Sequence, residues 1–233
     1  MLEMKGITGV LYTMSEWVMR LSAINLMWFL LCLPFGILLF TVDMSSGAGI
    51  VFFGVAAWLF LSFLVFPATA AVFSVARDWI VEADFSSVFR KYLSHLKADY
   101  KENAKTGTVF ALVWLVWYYI YFFLYAQQSS LALFLLPAGF ALFVYTVNFL
   151  CINAHFRMSR ADRLKNAFFV SAGRPLTGLY ILVSSGILLW VSITQLLILL
   201  PLLTCSLIAF LSFSAFHRVT QKVYEKSPTK NAA

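Results

Sequence analysis

The chain predicts an all-α, polytopic membrane protein with six transmembrane helices, and three observations carry that reading. Of its 233 residues, 62% are apolar and 12% charged, against roughly 45–50% and about 25% in a soluble domain. So few charges could not cover the surface of a soluble enzyme of ordinary composition. The apolar residues fall in long charge-free runs along the whole chain, each near the about 20 residues a helix needs to cross a hydrocarbon core. Under a six-span threading, all 17 Lys and Arg then stand on one side.

The spans are read at 21–41, 50–76, 106–125, 131–152, 176–192 and 196–216. The second run holds Pro67, and at about 40 Å as a straight helix it exceeds the bilayer. Proline there removes a backbone hydrogen bond and crowds the carbonyl four residues back, at Phe63. A bend near Phe63–Pro67 is therefore expected, with Ala68, Thr69, Ala70 and Ala71 letting this half pack closely and the Thr69 hydroxyl bonding a nearby carbonyl. Spans three and four are separated by the polar turn 127–130. The charge-free stretch 176–216 is about 60 Å long as one helix, so it folds into a hairpin. Its turn falls at 192–195 or at Leu200-Pro201; the first is preferred because it leaves Pro201 early in the sixth helix. A single transmembrane domain covers 1–225, and the polar tail 226–233 reads as disordered. No cleavable signal peptide is expected, because the first apolar run has full span length. Cys32, Cys151 and Cys205 lie in separate apolar runs and read as small packing residues.

Orientation follows from charge. The basic residues lie before span one, between spans two and three, between four and five, and after span six, whereas the opposite side carries Asp43 alone. The positive-inside rule then puts both termini in the cytoplasm, in a cytoplasmic membrane. The net charge of +7 needs no nucleic acid, because basic residues at that face meet anionic lipid headgroups at about 1 kcal/mol each.

Two short amphipathic helices are expected on the inner side, after spans two and four. In the first, over 86–104, Phe85, Val88, Phe89, Tyr92, Leu93, Leu96 and Tyr100 step by three and four, and Arg90, Lys91, Lys97 and Lys101 fall opposite. Such a helix lies along the headgroups or faces a partner protein. The second opens at Ser159 with Asp162 three residues on, a helix-start pattern, and stops at Gly173 and Pro175.

Catalytic chemistry is missing. His95, His155 and His217 fall near span ends without a second His or a carboxylate at metal-ligand spacing. There is no glycine-rich phosphate loop or serine elbow. No Asp, Glu, Lys or Arg lies inside a span, which lowers the case for an ion-coupled transporter. The expectation is a protein without catalytic, cofactor-binding or metal residues. The weak ligand candidates are Asn25, Trp28, Asn148, His155 and Gln195, and amides at such depth more often bond helix to helix. Trp17 and Trp79 suit an aromatic belt at the inner interface. Trp114, Trp117, Tyr118 and Tyr119 either offer aromatic faces to a sugar or simply pack a core rich in Phe.

Several segments together carry a resemblance. Asn25 is followed by Leu-Met-Trp-Phe-Leu-Leu-Cys-Leu-Pro to Pro34. Span two ends Phe66-Pro67-Ala68-Thr69-Ala70-Ala71, with Arg77-Asp78-Trp79 after it. Further along come Val88-Phe89-Arg90-Lys91-Tyr92, Arg163-Leu164-Lys165-Asn166-Ala167-Phe168 and Gly173-Arg174-Pro175-Leu176. This order is similar to the YesL-like family of bacterial integral membrane proteins, from about Tyr12 to Glu225. The resemblance implies no established activity and carries over no site residue. It associates the chain with carbohydrate-uptake importers, sensor kinases and polysaccharide-degrading enzymes of Gram-positive bacteria. The function expected is thus an accessory or regulatory subunit linked to oligosaccharide uptake by an ATP-driven importer, with permease subunits or a membrane sensor kinase as partners. The alternative is a six-span transporter or permease component moving a sugar or other small solute. A membrane enzyme comes third.

Overall fold

In the computed structural model, residues 7–42, 46–82 and 87–226 are described. Expectations for Asp43, for Phe85 and Ser86 at the start of the first inner helix, and for the tail beyond Lys226 lie outside those residues. Among the described residues, six helices are long and apolar enough to cross a membrane.

The first is α1 (Ile7–Thr41), which begins well before its apolar run and carries the Glu16–Arg20 ion pair on its early turns. The second is composite: α2 (Gly47–Phe60), a π-turn over Leu61–Val65, α3 (Phe66–Arg77) and a second π-turn over Asp78–Glu82. After α4 (Val88–Ala98) come α5 (Tyr100–Ala126) and α6 (Leu131–His155). Gln128 turns the chain between α5 and α6 with φ 52°. Next are α7 (Arg160–Gly173) and α8 (Pro175–Thr194), and the sixth span joins a π-turn over Leu200–Thr204 to α9 (Cys205–Lys226). With an even number of crossings, the start of α1 and the end of α9 share one end of the bundle, the basic end, where α4 and α7 also lie.

The hairpin between spans five and six turns between the two positions weighed from the sequence, over 195–199. Ser192 stays helical, and Pro201 sits in the first turn of span six, where its missing N–H costs nothing. Ser159 caps α7 as its spacing predicts, its Oγ accepting from the Asp162 amide at 3.2 Å.

One element is corrected. The segment 86–104 is not a single helix. It breaks at Asp99 (φ −107°, ψ 11°), and Tyr100 onward belongs to span three. The three-and-four spacing runs through the break unchanged because α4 and α5 each turn an apolar face to the same core. The break lets Asn103 and Ala104 enter that core, while Asp99 receives Arg157 from beyond span four at 3.0 Å.

The centre of the molecule is α3, which touches α1, α4, α5, α6 and α9. Ala68, Ala70 and Ala71 let those neighbours approach closely. Beside it Phe66, Phe110, Phe149 and Tyr145 form a continuous aromatic slab, with Phe66 stacked on Phe110 at 5.2 Å and Phe110 on Tyr145 at 5.6 Å. A smaller cluster around Leu38, Phe53 and Ala57 packs the far half.

Candidate functional site

Several polar groups inside the spans join one helix to another. Pro67 has no N–H to give the Phe63 carbonyl, and the Tyr100 hydroxyl donates to that carbonyl instead, at 3.0 Å. Thr69 Oγ1 donates to Val65 O at 2.7 Å and accepts from Trp28 Nε1 at 2.9 Å, tying span one to span two. Where span two bulges, α5 crosses so closely that a Cβ on Gly107 would stand 2.7 Å from the Ser62 carbonyl. A third join serves the π-turn at 200–204. Asn25 Nδ2 donates to Leu200 O at 2.8 Å and Asn25 Oδ1 accepts from Ser206 N at 3.0 Å, so both ends of one amide repair the broken ladder of span six.

The ladder break in span two thus falls where a bend was expected, as a π-turn with Pro67 opening the helix after it. Of the ligand candidates, Asn25 and Trp28 are engaged in these joins. Asn148 donates to Ser171 Oγ at 2.9 Å, with its own carbonyl oxygen buried and unpartnered. His155 stands beside His217, their ring centroids 5.8 Å apart, each with a buried, unpartnered Nδ1. Gln195 lies exposed in the far turn. These positions are scattered and form no common site. Trp114 and Trp117 reach span four, donating to Thr146 Oγ1 at 3.2 Å and Leu135 O at 3.0 Å, with Gly139 making room for the Trp117 ring.

The charged groups converge on the basic end in two clusters. The first is centred on Asp78, only 3% exposed. Arg77 Nη1 donates to Asp78 Oδ1 at 3.0 Å and pairs also with Glu82. From α4, His95 Nε2 stands 2.7 Å from Asp78 Oδ2 and Lys91 Nζ 3.9 Å from it. A buried carboxylate is tolerated only with such partners. Tyr92, fully buried between His95 and Lys91 on the same helix, donates to Ala68 O at 3.3 Å, and burial pushes its phenol well above the usual tyrosine range. Phe89 instead points away from the bundle at 62% exposed, and Lys97 and Lys101 are exposed. This corrects the grouping made from the sequence. Tyr92 does not share an outer apolar face with Phe89, and Lys91 is turned inward rather than opposite that face, because the buried charge of Asp78 draws it in. Trp79, read as a belt residue, packs edge-on against Trp17 at 5.7 Å inside the bundle.

The second cluster surrounds a cleft of about 280 Å³ where α5 starts, α6 ends and α7 starts, lined by Asp99, Glu102, Asn153, Arg157 and Arg163. Arg160 reaches Glu102 at 3.0 Å, Arg163 reaches Glu102 at 3.8 Å and bonds Asn153, and Asn153 donates to Asn103 at 3.0 Å. Burial pulls the Arg163 guanidinium below its ordinary value, against the opposing attraction of Glu102 and Asp99. Among the described residues, no three His, Cys, Asp or Glu side chains gather where they could hold a metal ion. What the described residues at this end offer chemically is paired, ordered charge.

Sequence reasoning missed the Asp78–His95–Lys91 cluster. Its signal was present: a lone carboxylate at the edge of an apolar run demands a partner, and Lys91 and His95, four apart, face one way on a helix.

The model of a family described as "Protein of unknown function, DUF624" matches residues 21–121, the part that holds Asn25, the span-two π-turn and the Asp78 cluster. The "Uncharacterized protein YesL" of Bacillus subtilis (strain 168) is 26% identical, over 95% of this chain and 97% of its own length. The chain is thus similar to YesL along nearly its whole length and to the DUF624 model over its first half. The "Uncharacterized protein YteU" of the same organism is a further relative, 29% identical over 50% of this chain and 42% of its own length. No solved structure matches. The cleft residues Arg163, Asn153 and Arg157 lie outside the matched segment, and the cleft's carboxylate wall, Asp99 and Glu102, lies within it.

Proposed function

We propose that this protein is a non-enzymatic accessory or regulatory subunit of the cytoplasmic membrane, working with an ATP-driven importer of oligosaccharides, with both termini, α4 and α7 in the cytoplasm. The observation that supports it best is the division of labour among polar groups. Asn25, Trp28, Thr69 and Tyr100 close helix-to-helix joins inside the spans, whereas ordered charge gathers at one end, on α4, α7 and the segments between them. Paired carboxylates and arginines held on short helices suit contact with a permease subunit or a membrane sensor kinase. Oligosaccharide uptake enters through the resemblance to the YesL-like family, and positive-inside asymmetry supports the orientation.

Two experiments test the reading. Purification of the tagged protein in mild detergent, followed by mass spectrometry, should recover importer permease, solute-binding protein or sensor kinase. Recovery of none of them, together with uptake of labelled sugar into vesicles holding this protein alone, would replace the accessory role with transport. For orientation, a Ser129→Cys variant should react with a membrane-impermeant maleimide in intact cells. Reaction only after permeabilisation would invert the topology.

A further inference from the structure

Arg20, Arg77, Arg163 and Arg174 are half-buried. The first three meet carboxylates, of Glu16, Asp78 and Glu102 respectively. Arg174 meets none among the described residues. A guanidinium partly withdrawn from water without a counter-charge is costly, and this one sits at a particular place. It is the residue between α7 and α8, immediately before span five, and so at the headgroup level of that span. There it lines a cleft of about 490 Å³ on the side of α7 that faces α9. The rest of that wall is largely apolar, with Phe169 of α7 and Phe216 and Val219 of α9, and Asn166 and Thr220 as further polar groups. The cleft lies between α7, which packs mainly on α6 and α8, and α9. Lys165 on α7 and Lys222 on α9 are exposed nearby in sequence, and Asp162 is engaged by the Ser159 hydroxyl at 2.6 Å.

A ligand that satisfies both halves of this cleft carries an anion at one end and hydrocarbon at the other. We propose that the cleft binds an anionic glycerophospholipid. Its phosphodiester oxygens accept hydrogen bonds from the Arg174 guanidinium, whose planar fork matches two oxygens of a phosphate. One acyl chain lies against Phe169, Phe216 and Val219, where it removes apolar surface from the headgroup region. The inference needs only that the basic end lies at the headgroups, and is independent of any importer partner.

The test uses the full chain purified in mild detergent and incubated with phosphatidylglycerol or phosphatidylcholine of matched chains, with lipid retention read by native mass spectrometry. The wild-type protein should retain one phosphatidylglycerol under activation that strips phosphatidylcholine. Arg174→Gln should lower that retention by about tenfold or more, the scale of a lost charge-assisted pair, and Arg174→Lys should recover part of it. Val219→Trp, which fills the cleft without touching charge, should lower retention comparably, and it carries the test should Arg174→Gln fail to fold by thermal melting. Equal retention of the two lipids, or unchanged retention in Arg174→Gln, would overturn the proposal. Displacement of the lipid by glycerol 3-phosphate at equal concentration would reduce the cleft to a phosphate site and overturn the acyl part. A doubled mass free of lipid would assign the cleft to a second copy of the chain instead.

Discussion

The two short helices at the basic end began as the same kind of prediction and end in different states. α4 is clamped to the bundle. Tyr92 is driven fully into it, His95 and Lys91 close on the buried Asp78, and the neighbouring span contributes Tyr100 to a carbonyl of span two. α7 packs on α6 through Ala167, Leu164 and Val170, takes the Tyr145 hydroxyl on Leu164 O at 3.2 Å, and leaves Phe168 and Phe169 exposed with clefts on either side. Both have helical periodicity. What separates them is whether the facing span offers a buried charge and a recess of small residues, as span two does with Asp78 and Ala68. An amphipathic pattern gives a helix its faces, and the neighbour decides how deeply one of them sinks.

The largest test of that contrast removes the knob. Tyr92→Ala should destabilise the protein by about 3–5 kcal/mol, the range for emptying a packed aromatic site, whereas Phe169→Ala should change stability by less than about 0.5 kcal/mol. Thermal melting in one detergent compares them, and similar losses would erase the distinction between the sunken aromatic of α4 and the exposed aromatics of α7. Next comes charge. Asp78→Asn leaves Arg77, Lys91 and His95 around a neutral group and should cost about 3 kcal/mol, while Glu102→Gln, at a half-exposed site on the α7 side, should cost under about 1 kcal/mol. The same melting series reads it, with backbone hydrogen exchange in α4 rising in the Asp78 variant alone.

Two glycines sharpen the comparison further. Gly107→Ala forces a methyl group against the Ser62 carbonyl and should cost about 2 kcal/mol. A Cβ on Gly173, at the end of α7, meets nothing within 4 Å, so Gly173→Ala should fall within about 0.5 kcal/mol of the parent. A neutral Gly107 variant would mean that α5 can stand further from the π-turn than its side chains indicate. The smallest effect belongs to Tyr100→Phe. It strips the donor from the Phe63 carbonyl and should lower stability by about 1 kcal/mol, with faster amide exchange confined to the residues around Pro67.

Spans, their number and the cap of α7 were legible because each rests on local chemistry: a charge-free run of the right length, a side chain accepting from an amide three residues on. The turn between spans five and six was legible only to within a few residues, since neither Ser192 nor Pro201 is forced into it. Asp99 as a helix end was not legible, because Leu96 and Tyr100 keep helical spacing across it. The Asp78 cluster was hidden for another reason. Its members are 17 residues apart on different elements, and only the packing of α4 on α3 puts Lys91 and His95 over the carboxylate. The pairing of Asn25 with span six is more distant still.

That last join has a consequence for how the protein is made. Asn25 and Leu200 are separated by 175 residues, so the first span leaves the ribosome long before the strip of backbone it repairs has been synthesised. Through that interval its amide sits in hydrocarbon without its final partners. When the sixth span arrives, it brings a carbonyl and an amide that its own helix leaves open. Each segment is costly in lipid without the other, and the two are relieved in a single event. The last span therefore closes the molecule, and a chain truncated before residue 200 is left with an unsatisfied amide at depth.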